Sequence, residues 1–218
     1  MFGKKLPAAV LWDMDGTLVD SEEYWLSSEQ NLAQEFNGSW NAQDGLDLIG
    51  MSLYDSSKVM KSKMGLELEP NEIIERLTND VVAQLNRSIP WRPGAKELLG
   101  ELKKRGVKTA LVTMSMKRMA ESVANKIPFK AFDVIVAGDM VSQGKPHPEP
   151  YLLAAQMLGV KPEQCVAFED SDPGLRSAEA AGTKAIGITN IVPLPELPGR
   201  IIWPTLEGVT LKDLRKLF

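Results

Sequence analysis

Two aspartates, Asp13 and Asp15, stand one residue apart directly after the apolar run 8–12 and before Gly16. Charged side chains at the mouth of a buried strand are costly unless something compensates them. One carboxylate of such a pair can stay ionised as a nucleophile, while its neighbour, with a raised pKa, donates and accepts protons. For Asp13 alone, a cap or turn role is the alternative, because aspartate is common there. The pair predicts covalent and acid–base catalysis.

Four more polar residues follow later apolar runs, namely Thr113, Lys145, Glu169 and Asp170. In an open parallel sheet, ligands bind outside the carboxyl ends of the strands. We therefore expect these side chains to meet the two aspartates at one edge of a sheet.

Several carboxylates at one edge repel each other and are tolerable when a cation sits among them. Hard carboxylate oxygens select Mg²⁺ or Ca²⁺, and Mg²⁺ prefers one or two carboxylates together with waters and substrate phosphate. An ammonium group and a hydroxyl, here Lys145 and Thr113, can then hold phosphoryl oxygens. This set of residue types predicts a metal-assisted reaction on a phosphoryl group.

The elements that must position these residues are short strands alternating with helices. Continuous apolar runs, typical of parallel strands covered on both faces, lie at 8–12, 107–113, 132–138, 165–169 and 184–189. Helical patterns lie between them at 93–106, 115–127, 148–159 and 172–182. For the last of these, Asp172 is the expected N-cap and Pro173 the first helical residue. The alternation predicts a doubly wound α/β domain.

Residues 20–89 break this alternation, with helical patterns at 21–36, 52–65 and 70–87 and no convincing strand. We predict a helical insertion there, which leaves a core domain of residues 1–19 and 90–218. The proline-rich tail is expected to add a short strand near 201–203 and a last helix at 210–217.

Composition narrows the possible partners. A chain of 218 residues allows one large domain, or a core with a smaller insertion. The net charge of −4 suggests no nucleic-acid surface. No apolar stretch is long enough to span a membrane, and the N-terminus lacks a signal-peptide cleavage site. We expect a cytoplasmic protein, a monomer or weak dimer, with a small-molecule partner and neither nucleic acid nor membrane.

Four segments together resemble the motifs of the haloacid dehalogenase (HAD) superfamily. "DMDGT" resembles motif I, "LVTMS" motif II, "GKPHPEPY" motif III and "FEDSDPGLRSAEAAG" motif IV, in the order found in that family. The resemblance covers most of the chain and implies a HAD-like Rossmannoid core with an inserted helical C1 cap. It points to the subgroup that contains β-phosphoglucomutase and many sugar-phosphate phosphatases.

The resemblance implies Mg²⁺-dependent phosphoryl transfer. By similarity, Asp13 attacks phosphorus and forms an aspartyl-phosphate, while Asp15 is the general acid and base. The implied metal site consists of Asp13, the backbone carbonyl of Asp15, Asp170, and Glu169 either directly or through water.

The resemblance also implies which residues hold the phosphoryl group. Thr113, the backbone N–H of Met114 and Lys145 would contact its oxygens, with Lys145 neutralising charge beside Asp13. Met14, between the two aspartates, and Gly16, directly after them, complete this set.

The insertion departs from the mutase pattern at two positions. Trp25 stands where β-phosphoglucomutase carries a histidine, and Leu53 stands where it carries an arginine. A mutase must hold a bisphosphate, whereas a phosphatase needs water as the second acceptor. Trp25, Trp40 and Tyr54 are candidates to line a substrate pocket, although we expect at least two of them in the core of the insertion.

These features predict a hydrolase acting on a small phosphorylated metabolite, with sugar phosphates among the candidates. A phosphomutase and a non-catalytic HAD-fold binding protein are the alternatives. A dehalogenase is disfavoured, because members of that class usually lack the second aspartate, here Asp15.

Overall fold

Six parallel strands form one sheet in this computed structural model, which describes residues 5–218. The strands are β1 (Ala9–Trp12), β2 (Lys108–Val112), β3 (Val134–Val136), β4 (Cys165–Glu169), β5 (Lys184–Ile188) and β6 (Ile201–Trp203). All of the predicted strands are present, with ends shifted by up to two residues. The first four residues of the predicted core lie outside the described residues.

The sheet order, β3-β2-β1-β4-β5-β6, places β1 between the two halves of the fold. Strands added after β1 go first to one side and then to the other, so the order reverses between β1 and β4. Ligands of doubly wound folds bind at such a switch point. The predicted fold class is confirmed, and the ends of β1 and β4 become the place to look for a site.

Helices cover both faces of the sheet because neighbouring residues of each strand point to opposite faces. In β1, Val10 and Trp12 join one apolar cluster and Ala9 and Leu11 join the other. The core helices are α5 (Ala95–Lys104), α6 (Lys117–Ala124), α7 (Glu149–Leu158), α8 (Asp172–Ala180) and α9 (Leu211–Arg215).

Four helices stand between β1 and α5, and we refer to them as the helical unit (residues 22–87). They are α1 (Glu22–Glu35), α2 (Ala42–Leu46), α3 (Leu53–Met64) and α4 (Pro70–Arg87). The unit has its own apolar cluster, which includes Leu32, Met60 and Ile73. Sequence periodicity did not predict α2, because five residues are too short to show a helical repeat. A capping box between Asn41 and Asp44 holds this short helix.

The start of α8 differs from the expectation by one residue. Ser171, not Asp172, is the N-cap, since its hydroxyl accepts a hydrogen bond from the backbone N–H of Gly174 at 3.2 Å. Asp172 is the first helical residue and forms ion pairs with Arg176 and Arg200, each at 2.8 Å. A hydroxyl directly after Asp170 therefore fixes the start of this helix.

Candidate active site

A cleft opens between the carboxyl edge of the sheet and the helical unit. The space inside it, including its open mouth, is about 870 Å³. The core contributes Asp13, Asp15, Thr113, Met114, Ser115, Lys145, Asp170 and Ser171 to its lining, and the helical unit contributes Glu22, Trp25, Glu29, Leu53 and other residues. The cleft thus contains most of the predicted site residues.

Lys145 joins the ends of three strands. Its Nζ lies 2.6 Å from Oδ1 of Asp13, 2.6 Å from Oε1 of Glu169 and 3.0 Å from the carbonyl oxygen of Val112. The hydroxyl of Tyr151 also donates to Glu169. An ammonium has three N–H donors, and the oxygens of Asp13, Glu169 and Val112 use all three, which fixes the ammonium in place.

For both Lys145 and Asp13, burial and the charge of the ion-pair partner shift the pKa in opposite directions. Burial alone would lower the pKa of Lys145, but the charges of Asp13 and Glu169 and their hydrogen bonds outweigh it and raise that pKa. Burial raises the pKa of Asp13 to about 7, an effect that the charge of Lys145 reduces and that Glu169 and Asp15 increase. The lysine therefore stays charged. A further positive charge nearby would lower the pKa of Asp13.

Asp15 lies in a cradle of hydrogen-bond donors from both parts of the chain. Its Oδ1 accepts from Ser21 Oγ at 2.5 Å and from Trp25 Nε1 at 3.1 Å. Its Oδ2 accepts from Ser115 Oγ at 2.6 Å and from Thr113 Oγ1 at 3.3 Å. Hydroxyl groups can donate to an ionised carboxylate or accept from a protonated one, so this cradle accommodates both states.

Three buried carboxylates at the switch point are grouped as a cation would require. Asp13, Glu169 and Asp170 each offer an oxygen, and these oxygens lie within 4.8 Å of one another. Oδ2 of Asp13 and Oε2 of Glu169 are buried and accept no hydrogen bond from the described residues. Burial and the charges of Asp13 and Glu169 raise the pKa of Asp170 well above its ordinary value. Hard oxygen donors with unused lone pairs fit a divalent cation such as Mg²⁺.

Gly16 is a glycine for two separate reasons. Its φ is +82°, in the region that side chains other than glycine rarely adopt. A Cβ placed on it would also lie 1.8 Å from Oδ2 of Asp170. The turn after the aspartate pair therefore packs directly against the carboxylate at the end of β4.

The predicted phosphate-binding residues differ in their placement. Thr113 and Met114 line the cleft, and Met114 Sδ accepts from the backbone N–H of Lys145 at 3.3 Å. Met14 has its side chain in the apolar core, and its carbonyl accepts from the N–H groups of Leu18 and Val19. Met14 can contribute only through its backbone.

Several residues that complete the site were not predicted. Ser21 and Ser115 hold Asp15, Tyr151 holds Glu169, and Asn190 Nδ2 donates to Oδ2 of Asp170 at 3.1 Å. Asn190 could have been found, because it closely follows β5 and the rule used for the other strands applies to it. The remaining three become visible only through tertiary contacts.

The three aromatic candidates of the insertion lie in different surroundings. Trp25 lines the cleft beside Asp15. Trp40 lies in the apolar cluster of the helical unit, and Tyr54 is half exposed. Glu22 and Glu29, which were not singled out from the sequence, also line the cleft.

Comparison with known proteins agrees with this architecture. The model of the haloacid dehalogenase-like hydrolases matches residues 10–188, which include the strand ends described above. A phosphorylated carbohydrates phosphatase of Thermotoga maritima is 30% identical over 179 residues, which make up 82% of this chain and 83% of that protein.

Two further similarities differ in extent. A bifunctional riboflavin kinase/FMN phosphatase of Arabidopsis thaliana is 32% identical over 86% of this chain, and the chain spans 50% of that longer protein. The crystal structure of CbbY from Rhodobacter sphaeroides with xylulose-1,5-bisphosphate has a TM-score of 0.87 and 28% identity. That similarity covers 96% of this chain and 99% of CbbY.

Proposed function

Because this chain belongs to the haloacid dehalogenase-like hydrolase family, we propose that it is a Mg²⁺-dependent phosphatase of a small phosphorylated metabolite, with sugar phosphates as the first candidates. The observation that carries this proposal is the pairing of Asp13 with Lys145 inside a cluster of buried carboxylates at the switch point. The name of the Thermotoga relative supports the substrate class.

In the first step, an oxygen of Asp13 attacks phosphorus as the ester P–O bond breaks. Oδ2 suits this role because it has no hydrogen-bond partner in the described chain, while Lys145 fixes Oδ1. Asp15 gives its proton to the departing oxygen of the alcohol. The products of this step are the free alcohol and an aspartyl-phosphate.

In the second step, Asp15 takes a proton from water as the water oxygen attacks phosphorus. The bond between Asp13 and phosphorus breaks, and inorganic phosphate leaves. Thr113 and the Met114 N–H are proposed to orient the phosphoryl oxygens, and Met14 and Gly16 to contribute through their backbone. Lys145, whose three N–H donors are engaged, is proposed to bind the phosphoryl group through its charge, by neutralising negative charge between it and Asp13. Mg²⁺ held by Asp13, Glu169, Asp170 and the Asp15 carbonyl would supply the positive charge that phosphoryl transfer requires.

The same proposal treats residues 20–89 as a cap inserted into a core of residues 1–19 and 90–218. Its support is that the chain leaves and re-enters the core side by side. Asp20 N donates to Pro90 O at 2.7 Å, and Arg92 N donates to Leu18 O at 3.0 Å. Cytoplasmic location and a monomeric or weakly dimeric state stay predictions. No helix among the described residues is long and apolar enough to cross a membrane.

Phosphatase activity is proposed over mutase activity because of the cleft lining. Leu53 and Trp25 both line the cleft, at the two positions where the mutase pattern has basic residues. Among the described lining residues, Lys145 is the one basic side chain, and it is bound to Asp13 and Glu169. A second phosphate would therefore find no cation in the lining.

The deciding experiment uses β-glucose 1-phosphate with Mg²⁺, with and without β-glucose 1,6-bisphosphate. We expect a phosphate assay to detect inorganic phosphate and NMR to detect no glucose 6-phosphate. Formation of glucose 6-phosphate stimulated by the bisphosphate would replace the phosphatase proposal by the mutase. If this ester is inert, a panel of sugar phosphates and p-nitrophenyl phosphate follows, and release of phosphate from none of them would refute the proposal.

A further inference from the structure

Glu29 is a buried acid on the helical-unit side of the cleft. Its residue is 6% exposed, and its Oε2 accepts a hydrogen bond from Trp40 Nε1 at 2.8 Å. Among residues 5–218, no other group donates to this carboxyl, and the residue lines the cleft. One carboxyl oxygen is thus fixed by the indole, and the other is left without a protein partner.

A carboxyl group in this setting needs an explanation, because burying an acid without compensation is costly. Lys63, a basic residue of the helical unit, is engaged with Asp44 and lies over the ring of Trp40 at 5.7 Å. It does not line the cleft. Burial raises the pKa of Glu29 to about 7, with the Trp40 hydrogen bond lowering it and Asp44 raising it.

The cleft therefore has acidic groups besides the carboxylates at the sheet edge. Glu22 also lines it, and burial together with the charges of Asp15, Glu29, Asp13 and Asp20 raises its pKa to about 8. Most of the remaining lining from the helical unit is apolar, with residues such as Leu48, Met60 and Ile74. Within the described lining, a second phosphate or carboxylate would meet Glu22 and Glu29 and no cation other than Lys145.

We propose that Glu29 is a substrate-specificity residue: it binds a hydroxyl of the organic part of the phosphate ester and, together with Glu22, rejects substrates that carry a second anionic group. This inference rests on the proposed phosphatase function and goes beyond it by naming the class, a monophosphate with a neutral, hydroxyl-bearing far end. It separates this chain from CbbY, whose structure holds a bisphosphate.

The physical basis is that a hydroxyl group and a second phosphate interact differently with Glu29. A hydroxyl can donate to the ionised carboxylate or accept from its protonated form, so it pairs with Glu29 in either state. A second phosphate must lose its hydration where no free cation of the described lining can pair with it, and Glu22 and Glu29 add like charge as they ionise, which excludes it. Sites built around a hydrogen bond to a substrate hydroxyl discriminate strongly, because their polar group is otherwise left unpaired.

The test compares three esters on each enzyme, with KM and kcat determined separately. Fructose 1-phosphate carries hydroxyls, fructose 1,6-bisphosphate adds a second phosphate, and p-nitrophenyl phosphate has no hydroxyl. The variants are Glu29→Gln, which keeps the shape and an acceptor for Trp40, and Glu29→Leu, which keeps neither. Glu23→Gln is the matched control, because Glu23 lies on the same helix and is exposed.

We expect the wild type to prefer fructose 1-phosphate over the bisphosphate by about 100-fold or more in kcat/KM. Glu29→Gln should reduce that preference by about 10-fold or more, chiefly through a lower KM for the bisphosphate, and leave p-nitrophenyl phosphate unchanged. Glu29→Leu should lose about 10-fold or more with fructose 1-phosphate. Glu23→Gln should match the wild type with all three esters.

Three results would overturn the inference while leaving the phosphatase in place. The first is a wild type that prefers the bisphosphate, and the second is an unchanged preference in Glu29→Gln. The third is an equal loss of activity with all three esters in Glu29→Gln, which would indicate a structural role. If Glu29→Leu does not fold, Glu29→Gln decides, and its p-nitrophenyl phosphate activity reports on its folding. Failure of the wild type to hydrolyse any ester would instead refute the proposed function and the inference with it.

Discussion

At the scale of single residues, the site depends on how one buried ammonium and several carboxylates compensate one another. Lys145 holds Asp13 and Glu169 at equal distances of 2.6 Å, so the end of β1 and the end of β4 share one cation. The carboxylate oxygens that Lys145 does not reach, Oδ2 of Asp13 and Oε2 of Glu169, are buried without a partner among the described residues. Their arrangement fits a second positive charge at the same place.

Replacing this lysine should affect stability as well as activity. Lys145→Met leaves two buried carboxylates unpaired, and breaking a buried ion pair from one side costs about 3–5 kcal/mol. We expect a loss of that size in the free energy of unfolding, measured by urea denaturation in EDTA. Lys126→Met, at an exposed lysine, is the control and should change stability by less than about 1 kcal/mol. An equally small change in Lys145→Met would contradict the pairing.

Gly16 allows a test of close packing at the carboxylate edge. Gly16→Ala adds a Cβ that would lie 1.8 Å from Oδ2 of Asp170, in a backbone conformation with φ +82°. The matched control is Gly106→Ala, because Gly106 has φ +69° and nothing within 4 Å of its added Cβ. Both variants carry the backbone cost of about 1–2 kcal/mol.

We expect only Gly16→Ala to lose activity, by about 100-fold or more, because the clash displaces a proposed metal ligand. Phosphate release from p-nitrophenyl phosphate, measured over a range of Mg²⁺ concentrations, distinguishes the two variants. Activity in Gly16→Ala equal to that of Gly106→Ala would show that the position of Asp170 does not matter.

At the scale of elements, the strands were predictable and the N-cap of α8 was not. Each residue of β1 is fully buried, so its apolar character is continuous and visible in the sequence. The start of α8 was placed one residue late, because Ser171 and Asp172 are both good N-caps and only the fold selects between them. The hydrogen bonds of Ser21 and Trp25 to Asp15 could not be predicted because they depend on how the start of the helical unit packs against the core.

The N-cap of α8 links helix stability to the site. Ser171→Ala removes the acceptor for Gly174 N–H and should cost about 1 kcal/mol of stability. Since Ser171 follows Asp170 directly, we also expect the Mg²⁺ concentration for half-maximal activity to rise. Ser52→Ala, which removes the N-cap hydroxyl of α3, is the control.

Thermal unfolding and a Mg²⁺ titration of phosphate release distinguish the two caps. The control should lose similar stability and keep its Mg²⁺ dependence. A parallel change in Mg²⁺ dependence in both variants would argue that the cap of α8 has no special relation to the site.

At the scale of the whole molecule, the doubly wound order and the insertion after β1 together create the cleft. The order reverses between β1 and β4, which places Asp13 beside Glu169 and Asp170, and the helical unit covers this edge. Arg118 of α6 also contacts the unit, with Nη2 2.9 Å from Glu75 and Nη1 2.7 Å from Asn79. The acidic character of the unit's wall could not be predicted from the sequence, because Glu29 looks like any other acid on an amphipathic helix.

A bound divalent cation should stabilise the entire fold, because it binds the folded chain and relieves repulsion among its carboxylates. At a Mg²⁺ concentration of 100 times the dissociation constant, the gain is about 2.7 kcal/mol. We expect the thermal midpoint to rise with Mg²⁺ in the wild type and in the surface control Asp80→Asn. In Asp170→Asn the rise should be lost, while stability in EDTA is at least that of the wild type. An equal Mg²⁺ response in Asp170→Asn would contradict the proposed metal site.

The central claim, that Asp13 is the nucleophile of a metal-dependent phosphatase, is tested most directly by p-nitrophenyl phosphate hydrolysis. Wild type, Asp13→Asn and Asp80→Asn are compared in Mg²⁺ and in EDTA. We predict turnover that needs Mg²⁺ in the wild type and in Asp80→Asn, and a loss of about 1000-fold or more in Asp13→Asn, because the amide cannot replace the attacking carboxylate. Retained turnover in Asp13→Asn, or full activity in EDTA, would contradict the account.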